Sequence, residues 1–116
     1  MTASRVFYFL TMARYARLAS GLWILMILVA SLLPGNTAGA AGTGWHLFGY
    51  GVLVVLLAAW QPVVRAAVAA WTIGALFEML QLLVAYRAAE TGDLVANAVG
   101  VALGLVVRAG YLAFAR

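Results

Sequence analysis

The sequence predicts an all-α membrane protein, a polytopic four-helix bundle with both termini in the cytoplasm. Of its 116 residues, 67% are hydrophobic and 9% are charged, whereas a soluble domain carries about 25% charged residues. Four apolar stretches cover most of the chain, and arginines flank them asymmetrically. This composition leaves too little polar surface for a water-soluble globular domain.

The apolar stretches define a single domain, residues 1–116, with spans at about 18–33, 45–60, 66–86 and 94–114. A membrane-spanning helix needs about 17–25 residues, so the first two spans are short and the last two are comfortable. Pro34 ends the first span. Trp45 and Trp60 bracket the second, as aromatic residues at membrane interfaces do, and Pro62 marks the next turn. Residues 5–17, which mix aromatic residues with arginine, leave open an interfacial helix before the first span.

The charges predict the orientation. All seven basic residues are arginines, and cytoplasmic loops are enriched in such residues. With both termini inside, only Arg87 lies outside, and six arginines lie on the cytoplasmic side: Arg5, Arg14, Arg17, Arg65, Arg108 and Arg116. The net charge of +4 is then an orientation signal, and no nucleic-acid partner is expected. The absence of cysteine excludes disulfides and thiolate metal sites.

The third span carries an acidic residue in its apolar interior. A carboxyl group inside a membrane span is costly, so it indicates a functional site. At about 100° per residue, Trp71, Gly74, Glu78, Gln81 and Ala85 lie on one face of this helix. Because that face is small and polar, we expect it to contact other helices and not lipid.

A second polar stripe lies on the fourth span and comprises Asp93, Asn97, Gly100 and Gly104. Asp93 is placed to act as the N-cap of the helix. Two glycines four residues apart permit the close approach of another helix, and the third helix, joined by a short loop, is the expected partner.

The remaining rare polar residues fall at the same end of an antiparallel bundle. His46 begins the second span, and Arg87 follows the third. Each has a purely structural interpretation: an interfacial ring for His46, a snorkelling anchor for Arg87, a helix link for Asn97, and an acid–amide pair that fixes helix register for Glu78. Their coincidence at one end favours a site. A metal held by His46, Glu78 and Asp93 would be a weak signature, so neither a metal nor another cofactor is expected.

The spacing of these residues resembles the signature of the VanZ-like family of small bacterial membrane proteins. The run is Glu78-x2-Gln81-x5-Arg87-x5-Asp93-x3-Asn97-x2-Gly100-x3-Gly104, and Ser31-Leu32-Leu33-Pro34 and His46-x3-Tyr50 are similar to the family as well. Gly42 and Thr43 stand where the family often has an Asp-Lys pair. The resemblance implies a multi-pass protein of the bacterial cytoplasmic (inner) membrane. The namesake of the family is linked to resistance to the glycopeptide teicoplanin.

Three functions fit these observations, and whether the protein is an enzyme stays open. In the first, an extracytoplasmic site binds or processes an envelope component, such as a lipid or lipid-linked headgroup. His46 and Glu78 would be the acid/base pair and Asp93 would orient them, and the binding residues would be Arg87, Gln81, Asn97 and Tyr50. The second is a non-enzymatic membrane partner whose polar cluster is structural. The third is a proton-coupled carrier with Glu78 as its proton site. The bilayer is the certain partner, and a homo-oligomer is left open.

Overall fold

The computed structural model describes residues 2–32, 40–83 and 91–115. Within these residues the chain forms four helices and no strands: α1 (Ala3–Leu32), α2 (Ala40–Ala58), α3 (Val63–Gln81) and α4 (Thr91–Phe114). The predicted all-α class is therefore confirmed. In this described part, α1, α3 and α4 are long and apolar enough to cross a membrane, and α2 has 19 residues, as many as α3. The cytoplasmic placement of both termini stays a prediction.

The helix bounds differ from the predicted spans at two places that matter for the site. α1 is one unbroken helix from Ala3, so the separate interfacial helix left open by the sequence is not formed; no proline lies between residues 3 and 32 to interrupt it. α3 ends at Gln81, whereas the predicted span continues to residue 86. The backbone N–H groups of Leu82 and Leu83 each donate a hydrogen bond to the carbonyl oxygen three residues earlier. Such tighter bonds are common at helix C-termini.

α2 is the central helix of the bundle. It packs most extensively on α4 and also contacts α3 and α1. Its Leu53 and Val54 are fully buried, as are Ala66 and Ala70 of α3, and Ile27 of α1 is almost so. The core is therefore an apolar layer around α2, below the polar residues described next.

Three glycines make the crossing of α2 and α4 close. A Cβ atom added to Gly100 would lie 2.7 Å from the Leu47 carbonyl oxygen, and one added to Gly104 would clash with the Gly51 carbonyl oxygen. A Cβ on Gly51 would meet the Gly100 oxygen at 3.2 Å. The expectation that Gly100 and Gly104 pack against α3 is therefore wrong. A short loop makes α3 the neighbour of α4 in sequence. The glycine that lets another backbone approach α4 closely, Gly51, lies on α2 instead.

The end of the bundle at the α2–α3 turn is held by a tryptophan. The Trp60 indole donates a hydrogen bond to Ser20 Oγ at 3.0 Å, and the Arg17 guanidinium lies over the Trp60 ring, 5.3 Å from its centroid. Ser20 is thus level with the turn. The earlier residues of α1 extend beyond the bundle, where the side chains of Phe7 and Tyr15 are exposed.

Candidate functional site

Most of the buried polar side chains gather at the opposite end, where α1 and α3 finish and α2 and α4 begin. Those with at most a tenth of their surface exposed are Ser31, His46, Glu78, Gln81 and Asn97. They come from all four helices. In the described part of the chain, these five side chains thus lie at one end of the bundle.

His46 is the centre of this cluster. Its Nδ1 atom lies 2.7 Å from Asn97 Oδ1. An amide oxygen only accepts hydrogen bonds, so Nδ1 carries the proton and donates it. On the other side of the ring, Nε2 lies 3.5 Å from Asp93 Oδ1. One imidazole thus joins two residues of α4 that are one turn apart.

The second ring nitrogen of His46 faces Asp93. A neutral imidazole has one N–H group, and the bond to Asn97 uses it. Nε2 is therefore the ring nitrogen left toward the Asp93 carboxyl group. Imidazole and carboxyl groups are side chains that commonly act as general acids and bases in enzymes.

Accessibility differs between the two members of the pair. The His46 side chain is 11% exposed and the Asp93 side chain is 25% exposed. Asp93 is thus the member that an incoming molecule can reach. α4 begins at Thr91, so Asp93 lies in the first turn of the helix. The N-cap role predicted for it is wrong, because the helix starts two residues earlier. Its carboxylate still benefits from the positive end of the helix dipole.

Tyr50 lies one turn after His46 on α2 and is 3% exposed. The two rings are parallel, with an interplanar angle of 6° and 6.3 Å between centroids. The carboxyl groups of Glu78 and Asp93 are near enough to act electrostatically on the Tyr50 hydroxyl. Tyr50 is therefore within electrostatic range of the carboxyl groups of both α3 and α4.

Gly74, Glu78 and Gln81 are buried together along α3, as the helical arithmetic predicts. Trp71 is 44% exposed and does not belong to this face. The buried face continues instead through Ala70 and Ala66. The reason is that α3 makes contact along a row of residues four apart, from which Trp71 is displaced.

Gln81 joins the ends of two helices. Its Nε2 donates a hydrogen bond of 2.9 Å to the backbone oxygen of Ser31. That carbonyl lies in the last turn of α1, where backbone carbonyl oxygens have no N–H donor within the helix. The contact gives Gln81 a structural partner, and its role in binding stays a prediction. The sequence predicted only that Ser31 lies near the end of the first helix, and not that it contacts Gln81.

Asn97 is 1% exposed, and its amide nitrogen points at α3. A Cβ atom added to Gly74 would lie 2.7 Å from Asn97 Nδ2 and 3.0 Å from a ring carbon of Tyr50. Gly74 thus provides the space in which Asn97 and Tyr50 meet α3. Within the described residues Asn97 Nδ2 has no hydrogen-bond partner.

Other predicted features lie elsewhere. Arg87 and Ala85 are outside the described residues. Among the residues that are described, no group of three or more His, Cys, Asp or Glu is arranged to hold a metal ion. Two apolar grooves, one between α2 and α4 and one along α3, contain none of the clustered polar residues.

Comparison with known proteins yields one family. A family model described as VanZ/LLP1 matches residues 4–112, nearly the whole chain. No curated protein and no solved structure matches the chain.

Proposed function

The chain belongs to the VanZ/LLP1 family, and from this membership and its buried polar cluster we propose that it binds the polar headgroup of a cell-envelope component and exchanges a proton with it. The observation that carries the proposal is the position of His46 between Asn97 and Asp93. A buried imidazole with both nitrogens engaged, in a protein with membrane-spanning helices, is an expensive arrangement for packing alone.

Each residue of the cluster has a role in this proposal. Asp93, the more exposed member of the pair, meets the headgroup and passes the proton to or from His46. Asn97 positions His46 by fixing its Nδ1–H. Glu78 is the second acid, linked through Tyr50. Arg87, close to the same end in sequence, would hold an anionic group through its planar guanidinium fork.

The substrate class follows from the place of the site. Helix ends lie near the headgroup layer of a bilayer whose hydrocarbon core is about 30 Å thick. A lipid or lipid-linked headgroup reaches this level with its tail in the membrane, whereas a soluble solute would have to enter from water. Lipid headgroups are therefore the favoured ligands, and the extracytoplasmic leaflet is favoured by the distribution of arginines.

The test compares His46→Gln and Asp93→Asn with the wild-type protein in a strain lacking the gene. Susceptibility to envelope-active agents, and the lipid extract measured by mass spectrometry, report function. Ser20→Ala is the matched control, because it removes a partly buried hydrogen bond at the other end of the bundle. We expect both site variants to fail and the control to restore the wild-type profile. Full restoration by both site variants at equal expression would defeat the proposal.

One observation favours a second function, that of a non-enzymatic membrane partner. The contacts of Asn97 with His46 and of Gln81 with Ser31 each link two helices, as structural polar residues do. The two functions differ in how activity follows stability. If the cluster is structural, His46→Gln lowers function only as far as it lowers the thermal stability of the purified protein.

A further inference from the structure

We propose that the groove along the outer face of α3 binds an anionic phospholipid, with the lipid phosphate at Arg65 and an acyl chain along the helix. The groove lies at the end of the bundle opposite to the His46–Asp93 pair. The proposal is therefore independent of the function proposed above.

The shape of the groove suits one lipid chain. It is an open surface depression of about 660 Å³, formed by α3 and the proline before it, and it is lined by Pro62, Val64, Arg65, Val68, Ala69, Thr72 and Ile73. Apart from Arg65 and Thr72 these residues are apolar. From Pro62 to Ile73 the lining extends about 16 Å at 1.5 Å per residue, close to the roughly 15 Å depth of one leaflet. A chain lying in the groove would thus run from the headgroup layer to the middle of the bilayer.

Arg65 supplies the charge at the outer end of the groove. It lies in the first turn of α3, exposed, and its long side chain can snorkel to the headgroup layer. Within the described residues it makes no salt bridge. Arg17, the neighbouring arginine, is already engaged over Trp60.

The acidic side chains that the structure describes, Glu78 and Asp93, both lie at the opposite end of the bundle. Neither of them is placed to pair with Arg65. A lipid phosphate provides two oxygens for a bidentate contact with its guanidinium. A lipid with net negative charge is favoured over a zwitterionic one, since neither of these two carboxyl groups is at hand to pair with a cationic headgroup.

Lipid retention by the purified full chain tests the proposal. The protein in detergent is titrated with phosphatidylglycerol or phosphatidylcholine, and bound lipid is measured by native mass spectrometry. Arg65→Gln should weaken retention of phosphatidylglycerol about fivefold, which corresponds to about 1 kcal/mol for one arginine near a membrane surface. Arg14→Gln, which removes an exposed arginine of α1 away from the groove, should change retention less than twofold.

A second variant tests the groove without removing the charge. Thr72 is exposed in the groove, and Thr72→Trp should fill it and lower phosphatidylglycerol retention although Arg65 remains. Each variant is first compared with wild type by thermal unfolding. Equal losses for Arg65→Gln and Arg14→Gln, or equal retention of the two lipids by the wild-type protein, would overturn the proposal.

Discussion

Gly74 and Asn97 are in direct contact: a Cβ atom at position 74 would lie 2.7 Å from Asn97 Nδ2. A glycine of α3 thereby determines the position of the amide that holds His46 on α2. The packing of α2, α3 and α4 at this point therefore requires that residue 74 has no side chain. This coupling makes the site sensitive to a substitution that adds a single methyl group.

Gly74→Ala should destabilise the protein by about 1–3 kcal/mol, the usual cost of overpacking a filled interior. The added methyl group forces Asn97 or Tyr50 to move, and the bond between Asn97 and His46 weakens with it. Thermal unfolding in detergent measures the effect. Gly21→Ala is the control, because a Cβ there has nothing within 4 Å and alanine favours the helix by up to about 1 kcal/mol. Equal stability of the two variants would contradict the contact.

Gly104→Leu should separate α2 from α4 and destabilise the fold by about 3 kcal/mol or more, since its side chain would enter the Gly51 backbone and Val54. Spin-label distances between α2 and α4 should increase, while those between α1 and α3 change less. Gly110→Leu, at a position with open space around its Cβ, is the matched control. Wild-type stability of Gly104→Leu would mean that this stripe faces lipid.

Glu78→Gln should abolish function while the protein stays folded and inserted. Glutamine keeps the size and much of the hydrogen bonding, so a purely structural acid would tolerate it at a cost of about 1–2 kcal/mol. A group that exchanges protons would not tolerate it. Rescue of a deletion strain by this variant, at the wild-type level and equal expression, would remove Glu78 from the mechanism.

Arg87→Lys is the companion variant. It keeps the positive charge but loses the bidentate fork, so we expect a loss of function only if an anionic group is bound at this position. Growth of the deletion strain with this variant is measured as for Glu78→Gln. Unchanged function would leave Arg87 as an anchor at the membrane surface.

The orientation is tested by cysteine labelling in intact cells, which the absence of natural cysteine makes clean. With both termini in the cytoplasm, a cysteine at Thr43 should react with a membrane-impermeant thiol reagent and one at Arg65 should not. The reverse pattern would place the His46–Asp93 pair at the cytoplasmic face and exclude an extracytoplasmic ligand.

The sequence predicts the helices and the polar end because both follow from local rules. Apolar length indicates the spans, and the rarity of Glu78, His46 and Asn97 in an apolar chain indicates where buried polar side chains gather. The sequence does not predict features that depend on how the helices pack against each other. The partner of Gly104 depends on how the helices cross, which chain order does not fix, and the Asp93 side chain is directed by His46 and not by the helix start.

From the sequence one could predict that His46, Asp93 and Asn97 lie near each other, but not which of their atoms are in contact. Residues that begin two parallel helices come to the same level, but which nitrogen meets which oxygen depends on the rotation of each helix. Gly51 gave no signal, since a lone glycine in an apolar helix has no fixed role until its neighbour across the interface is known. The pair Gly100 and Gly104 on α4 was the only sign in the sequence that another helix packs closely there.

The length of α1 has a consequence for its place in the membrane. Its 30 residues measure about 45 Å at 1.5 Å per residue, more than an average hydrocarbon core of about 30 Å. A helix of this length tilts in the bilayer or extends beyond it. Because Ser20 is level with the α2–α3 turn, the residues before it are the part of α1 that can contact headgroups or another protein outside the hydrocarbon core.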